Sequence, residues 1–281
     1  MVSMNFQVDI NTKKHNRLAL MESFTRKART LFSILYSGVL VWKDDINPRS
    51  MDHHQRLRYL EFQPFLNFKK DLVVYDVGAN VGEMARFFAG FPFVSTVYCF
   101  EPVKEVFLEL VKRSKDYEKI RCFQVGLGDG NRVQEMNICE FSPSSSILQM
   151  NTIHSEEFPS SKRGYKAEII IRTLEKVIKE HNLLPPDFIK VDVQGFEDRV
   201  IQGGEDIIRK ARFCMLELSL VSLYKDSSLI SDLNSQMRGL GFRLINIVGK
   251  VKGRSGEILQ LDGIYENAKF ALERFVIASR S

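Results

Sequence analysis

Four apolar runs in this chain end in acids, amides or glycines. LVVYDV runs into DVGANVG (Asp76 to Gly82), VYCF ends in CFEP with Glu101, KIRCFQVGL runs into GLGDG with Asp129, and FIKVDV runs into DVQGFE with Asp192 and Gln194. A fifth run, MLELSL, carries Glu217. Ionised carboxylates only accept hydrogen bonds, so a set of them beyond buried strands suits a ligand rich in hydroxyls or positive charge.

In DVGANVG, Gly78 permits a tight turn and Gly82 a close approach by a ligand or by the next helix. The glycines lie four apart around Ala79, Asn80 and Val81, which differs from the GxGxxG of dinucleotide binding. Asp76, two positions before the first glycine, would face a pyrophosphate with like charge, whereas it suits the ammonium and sulfonium of S-adenosylmethionine. Taken alone, the glycines equally describe a capped strand-to-helix turn. Glu101 follows Asp76 by 25 residues, where an acid can accept from both ribose hydroxyls. Asp129 can reach an adenine amino group, although its DG pair is also a hairpin-turn signal.

Asp192 and Gln194 alternate with Val191 and Val193, which predicts that both face one side of the strand. Glu197 falls in the first turn of the next helix and is expected only to start it. Candidate general bases are Asp192 and Glu217, with His154 a third choice. No HxxH, HExxH or EF-hand spacing is present, so no metal is expected.

The elements that must position these residues follow from periodicity. From Asp71 onward, short β-branched runs alternate with helical stretches, the pattern of a doubly wound α/β sheet that is mostly parallel. The last stretch, EILQLDGIYEN, follows its predecessor through the GKVKGRSG turn region, too closely for a crossover, and is expected to be antiparallel. Between Gly128 and Arg172, NRVQEMNICEF alternates like a hairpin strand and a long polar segment follows. That segment reads equally as a cover over a site or a floppy insertion. NPRS at 47–50 and QPF at 63–65 are expected helix breaks. Two regions are expected: a helical N-terminal extension over 1–68 and the α/β domain over 69–281.

Composition sets outer bounds. Of 281 residues, 44% are hydrophobic and 27% charged, as in ordinary globular proteins. The net charge of +5 resides in the N-terminal segment, where residues 1–70 hold 12 Lys/Arg against 6 Asp/Glu. This excess permits peripheral membrane contact; nucleic acid is not expected as a partner. LFSILYSGVLVW, at 31–42, is too short and too interrupted to span a bilayer. Cys99, Cys122, Cys139 and Cys214 lack metal or redox spacing and read as reduced core residues, which with no export signal favours a cytoplasmic protein.

DVGANVG, CFEP, GLGD, IKVDVQGFEDRVIQGG, MLELSLVSLY and LGFRLINIV, in this order, resemble the FkbM family of S-adenosylmethionine-dependent methyltransferases across roughly residues 71–267. The resemblance implies the class I methyltransferase (Rossmann-like) fold and O-methylation of a small-molecule hydroxyl on a sugar, glycoside or polyketide. By position it implies cofactor contacts from Asp76, Gly78, Asn80 and Gly82, ribose binding by Glu101, and a site-forming role for Asp192 and Gln194. Residues 1–68 match no pattern. The rival readings are a nucleoside-binding module without catalysis and a membrane-docked scaffold that uses the basic N-terminus.

Overall fold

The computed structural model describes residues 53–139, 146–157 and 164–271. The expectations for NPRS, the apolar run at 31–42 and the basic N-terminal cluster therefore lie outside the described residues. The sheet begins with β1 (Leu72–Val77), β2 (Val94–Phe100) and β3 (Ile120–Phe123), separated by α2 (Glu83–Ala89) and α3 (Lys104–Ser114). An earlier helix, α1 (His53–Leu66), precedes β1. After the insertion come α5 (Leu174–His181), β7 (Phe188–Val191), α6 (Glu197–Gln202), α7 (Glu205–Ile208), β8 (Phe213–Ser219), α8 (Ile230–Gly239), β9 (Phe242–Lys252) and β10 (Ile258–Asn267). Their order across the seven-stranded sheet is β3-β2-β1-β7-β8-β10-β9.

Strands β1, β2, β3, β7 and β8 pair in parallel, while β10 is antiparallel to both β8 and β9. The expected antiparallel last strand is therefore present, inserted between β8 and β9. Strand β9 runs on through GKVK to Lys252, so the turn is shorter than the glycines suggested. This is the class I methyltransferase architecture. Strand order reverses between β1 and β7, which opens a crevice beyond their carboxyl ends.

Parallel strands covered on both faces read as continuous apolar runs, and all six residues of β1 are buried. One face packs Tyr75, Val77, Ile189 and Leu216 against Val177, Val200, Ile207 and Leu233 of α5 to α8. The opposite face packs Val74, Phe188, Phe213 and Met215 against Phe88 of α2 and Phe62, Phe65 and Leu66 of α1. Pro64 does not break α1 where QPF predicted; the helix continues to Leu66 and Asn67 N–H still reaches the Gln63 carbonyl at 2.9 Å. The apolar anchors on either side of Pro64 offset its missing donor. The rings of Phe65 and Phe68 meet Phe213 edge-on at 5.6 and 5.5 Å, contacts worth about 0.5–1.5 kcal/mol each beyond area burial.

The insertion forms a second sheet of order β4-β6-β5, from β4 (Gly126–Leu127), β5 (Arg132–Cys139) and β6 (Gly164–Arg172). The alternation in NRVQEMNIC does mark a hairpin strand: β5 pairs β6 antiparallel from Arg132 to Cys139. Met136, Ile138, Ile169 and Ile171 form a small core with Val103. Helix α4 (Thr152–Glu157) lies in the polar segment. Cys99, Cys122 and Cys214 are free thiols, and the side chain of Cys139 lies outside the described set. Among the described residues no helix is long and apolar enough to cross a membrane.

Gly203, in the QGG that separates α6 from α7, presses against the turn after β4; a methyl group there would overlap the Gly128 carbonyl oxygen. Gly203→Ala is expected to cost about 1–3 kcal/mol, as overpacking typically does. Urea unfolding measures this, and an unchanged midpoint would show that the two backbones are not in close contact.

Candidate active site

A cleft opens at the switch point. Gly78, Asn80, Glu101, Asp192 and Gln194 line it, and Pro102, Leu127, Met136, Ile147 and Phe196 supply apolar surface. Gly78 (φ 74°) is the turn that requires glycine, because a side chain there would strike the Asp192 carbonyl. Asn80 is also left-handed at φ 49°, a conformation Asn tolerates. Its N–H donates to Glu101 Oε2 at 3.0 Å, and Val103 N–H donates to Oε1 at 2.9 Å. One carboxylate thus ties the first turn to the second, with lone pairs left for hydroxyl donors. Burial pushes the Glu101 pKa up to about 7, against those two N–H groups.

Beneath the cleft lies a buried cation. Lys190 Nζ is 3.0 Å from Asp76 Oδ1, 3.4 Å from Asp192 Oδ2 and 3.3 Å from the Gly78 carbonyl oxygen. Burial alone would lower the Lys190 pKa, but the charges of Asp76 and Asp192 raise it and keep the ammonium protonated. Burial raises the Asp76 carboxyl, and Lys190 opposes that rise. Register explains the trio: Lys190 sits opposite Asp76 across the β1–β7 pair, and Asp192 follows two residues on.

Strand β7 ends at Val191, so the strand pleat does not set Asp192 and Gln194 side by side. They meet in the following loop, where Gln194 Nε2 donates to Asp192 Oδ1 at 2.9 Å. Gln194 is left-handed (φ 58°), followed by Gly195 at φ 94°, a conformation that costs on the order of 1–3 kcal/mol for a non-glycine. Glu197 holds this loop. Its Oε1 accepts from Val193 N–H at 2.9 Å and Gly195 N–H at 3.2 Å. Burial drives its pKa up to about 7. Glu197 therefore does more than begin α6, which sequence position alone did not reveal.

Glu217 stands behind Gln194, whose Nε2 lies 3.2 and 3.0 Å from its two oxygens. Burial, then the charges of Asp192, Glu197 and Asp262, raise the Glu217 pKa well above the carboxylate range. Asp262, its neighbour across β8–β10, is pushed up to about 6 by burial and by Asp192. The insertion and the loop after β8 reach the same point: Ser146 Oγ of the insertion donates to the Gln194 carbonyl at 2.6 Å, and Tyr224 O–H of the loop donates to Gln194 Oε1 at 2.8 Å. The start of the described part of the polar segment, Ser146 and Ile147, thus borders the cleft.

Of the residues singled out in the sequence, Gly78, Asn80, Glu101, Asp192 and Gln194 line the cleft. Asp76 does not; it is fully buried below the cleft with its charge held by Lys190. Gly82 instead caps α2 in a left-handed conformation (φ 80°) and packs on Leu110. Asp129 is turned away from the cleft wall by Arg132 at 2.7 Å and Arg199 at 3.3 Å. His154 is buried, 3.1 Å from Tyr224 Oη. Lys190 escaped the reading although a lysine amid IKVDV is a visible anomaly: a charge in a core strand demands a partner. Tyr224 offered no signal. Among the described residues no group of three His, Cys, Asp or Glu is arranged to hold a metal ion.

The sheet order, its inserted antiparallel strand β10 and the acid-lined cleft at the switch point define a class I methyltransferase. The chain belongs to the FkbM methyltransferase family: the Methyltransferase FkbM domain model matches residues 76–244. S-Adenosyl-L-methionine is the methyl donor of that family. The chain is 30% identical over 164 residues to the 2-O-methyltransferase NoeI of Sinorhizobium fredii, covering 56% of this chain and 67% of that one. Among solved structures it is similar to the methyltransferase FkbM of Methylobacillus flagellatus (16% identity, TM-score 0.45), covering 85% of this chain and 59% of that one. It is also similar to the precorrin-6y C5,15-methyltransferase of Geobacter metallireducens (10% identity, TM-score 0.43, 82% and 96% covered).

Lys190→Met removes the cation between two acids and is expected to cost about 3–5 kcal/mol at neutral pH, the usual penalty for breaking a buried pair. The deficit should shrink as pH falls, because protonating Asp76 removes the uncompensated charge. Adding Asp76→Asn should restore most of the loss. Chemical denaturation across pH measures both, and a pH-independent deficit would remove the ion pair as its cause.

Proposed function

We propose that this chain transfers the methyl group of S-adenosylmethionine to a hydroxyl of a small polyhydroxylated molecule, a sugar, glycoside or related natural product. The observation that carries the reading is that Asp192, Gln194 and Glu101 line one cleft. The free lone pairs of Glu101 fit two ribose hydroxyls. The Gly78–Asn80 turn leaves backbone room beside the cleft, while Leu127, Met136 and Phe196 fit an apolar ring. These residues would hold the cofactor, and Asp76 would act from below through Lys190.

When bound, the cofactor supplies an electrophilic methyl on a sulfonium that leaves as a neutral thioether. Asp192 accepts the proton that the attacking hydroxyl loses, and Gln194 holds that carboxylate in place through its 2.9 Å bond. Glu217 sits behind the amide and acts through it. Positioning can supply about 7–11 kcal/mol of the barrier, and a general base about 10²- to 10⁴-fold in rate. The printed name of the Sinorhizobium relative, a 2-O-methyltransferase, supports oxygen as the acceptor atom.

A labelled-methyl screen over sugars, glycolipids and polyketide alcohols tests the reading. Asp192→Asn should lower transfer about 10²-fold or more with S-adenosylhomocysteine affinity nearly intact. Cofactor binding without transfer to any hydroxyl would favour a binding module.

Calorimetry with S-adenosylhomocysteine tests the ribose site. Hydroxyl donors favour ionised Glu101, whose pKa is about 7, so affinity should weaken about tenfold from pH 8 to pH 6. Glu101→Gln should bind weakly and flatten this dependence. Wild-type binding that ignores pH would take Glu101 out of the ribose site.

A further inference from the structure

Two contacts made by residues far apart in the chain converge on Gln194. Ser146 Oγ holds its carbonyl at 2.6 Å, and Tyr224 O–H holds its side-chain Oε1 at 2.8 Å. Tyr224 in turn meets His154 Nε2 at 3.1 Å, the rings lying 4.9 Å apart. Ser146 and His154 both belong to the segment whose Ile147 lines the cleft. That segment is laid along the loop after β8: Lys225 N–H reaches the Gln149 carbonyl at 2.8 Å, Asn151 N–H the Leu223 carbonyl at 2.8 Å, and Met150 bridges Tyr224. Tyr224 and His154 are 0% and 2% exposed, so a partner lost here is not replaced by water.

The orientation of the Gln194 amide matters chemically. With Nε2 toward Asp192 and Glu217 it donates to two acids; reversed, its oxygen would face both of them. The hydroxyl of Tyr224, donating to Oε1, selects the productive orientation. When that hydroxyl proton lies on Gln194, His154 Nε2 carries the proton of its own contact, and the chain runs donor to acceptor from His154 through Tyr224 and Gln194 to the carboxylates.

We propose that Tyr224, backed by His154, is a positioning residue that acts through Gln194, fixing the amide that orients Asp192. The proposal deepens the methyl-transfer reading and rests on it, yet its test needs no acceptor. Tyr224→Phe, Gln194→Ala and the double variant are compared by calorimetry with S-adenosylhomocysteine and by hydrogen exchange of residues 146–151 and 193–196. Tyr224→Phe should weaken binding roughly fivefold to tenfold and speed exchange of the Leu148, Asn151 and Gly195 amides about tenfold. The double variant should be no worse than Gln194→Ala alone, since a residue acting through another is non-additive with it. Additive losses would overturn the proposal, as would a Tyr224→Phe variant unchanged in both measurements. Should the wild type bind no S-adenosylhomocysteine, the methyl-transfer reading falls, and the exchange cycle alone still decides whether Tyr224 works through Gln194.

Discussion

The arrangement around the cleft depends on one buried cation. Lys190 lies among Asp76, Asp192 and the Gly78 carbonyl, and without it the carboxyl ends of β1 and β7 would bring two acids together with no counter-charge. A buried charge is tolerated only when paired. The pairing does two jobs at once: it clamps the two strands at the switch point, and it gives Asp192, which lines the cleft, a counter-charge. The turn at Gly78, which lines the cleft, accepts from the same ammonium.

Around this cation, acids serve as scaffolding for the main chain. Glu101 gathers the N–H groups of Asn80 and Val103, and Glu197 those of Val193 and Gly195. In both cases a buried carboxylate stands where a loop would otherwise leave donors unsatisfied. The two loops so held are the two walls of the cleft. The left-handed residues Asn80 and Gln194 are stable because of these bonds, so the walls are shaped before a ligand arrives and little ordering remains to oppose binding.

The fold was largely legible because parallel strands buried on both faces leave unmistakable runs, such as LVVYDV and FIKV, and because the short link before β10 excluded a crossover. Helix α1 was misjudged at Pro64, since the packing of Phe62 and Phe65 on distant rings outweighs a local breaker and is invisible to a local reading. Gly78, Asn80, Glu101, Asp192 and Gln194 come together at one cleft because each sits at or just beyond the end of a strand that periodicity had located. Asp76 was placed in the cleft because sequence shows an acid but hides its partner, Lys190 lying 114 positions on; for Asp129 the nearer partner, Arg132, stood three residues away and was overlooked. Tyr224 and His154 were illegible as a pair, since only the fold of the insertion brings them together.

The insertion between Gly128 and Arg172 closes on itself as a sheet, has its own small core, and enters and leaves at neighbouring points, where Gly128 N–H bonds the Arg172 carbonyl at 3.0 Å. Such a piece behaves as a cassette. It is nevertheless tied to the rest of the chain at two points, Ser146 on the Gln194 carbonyl and His154 on the Tyr224 hydroxyl, so a change of sequence inside the cassette is felt at the cleft.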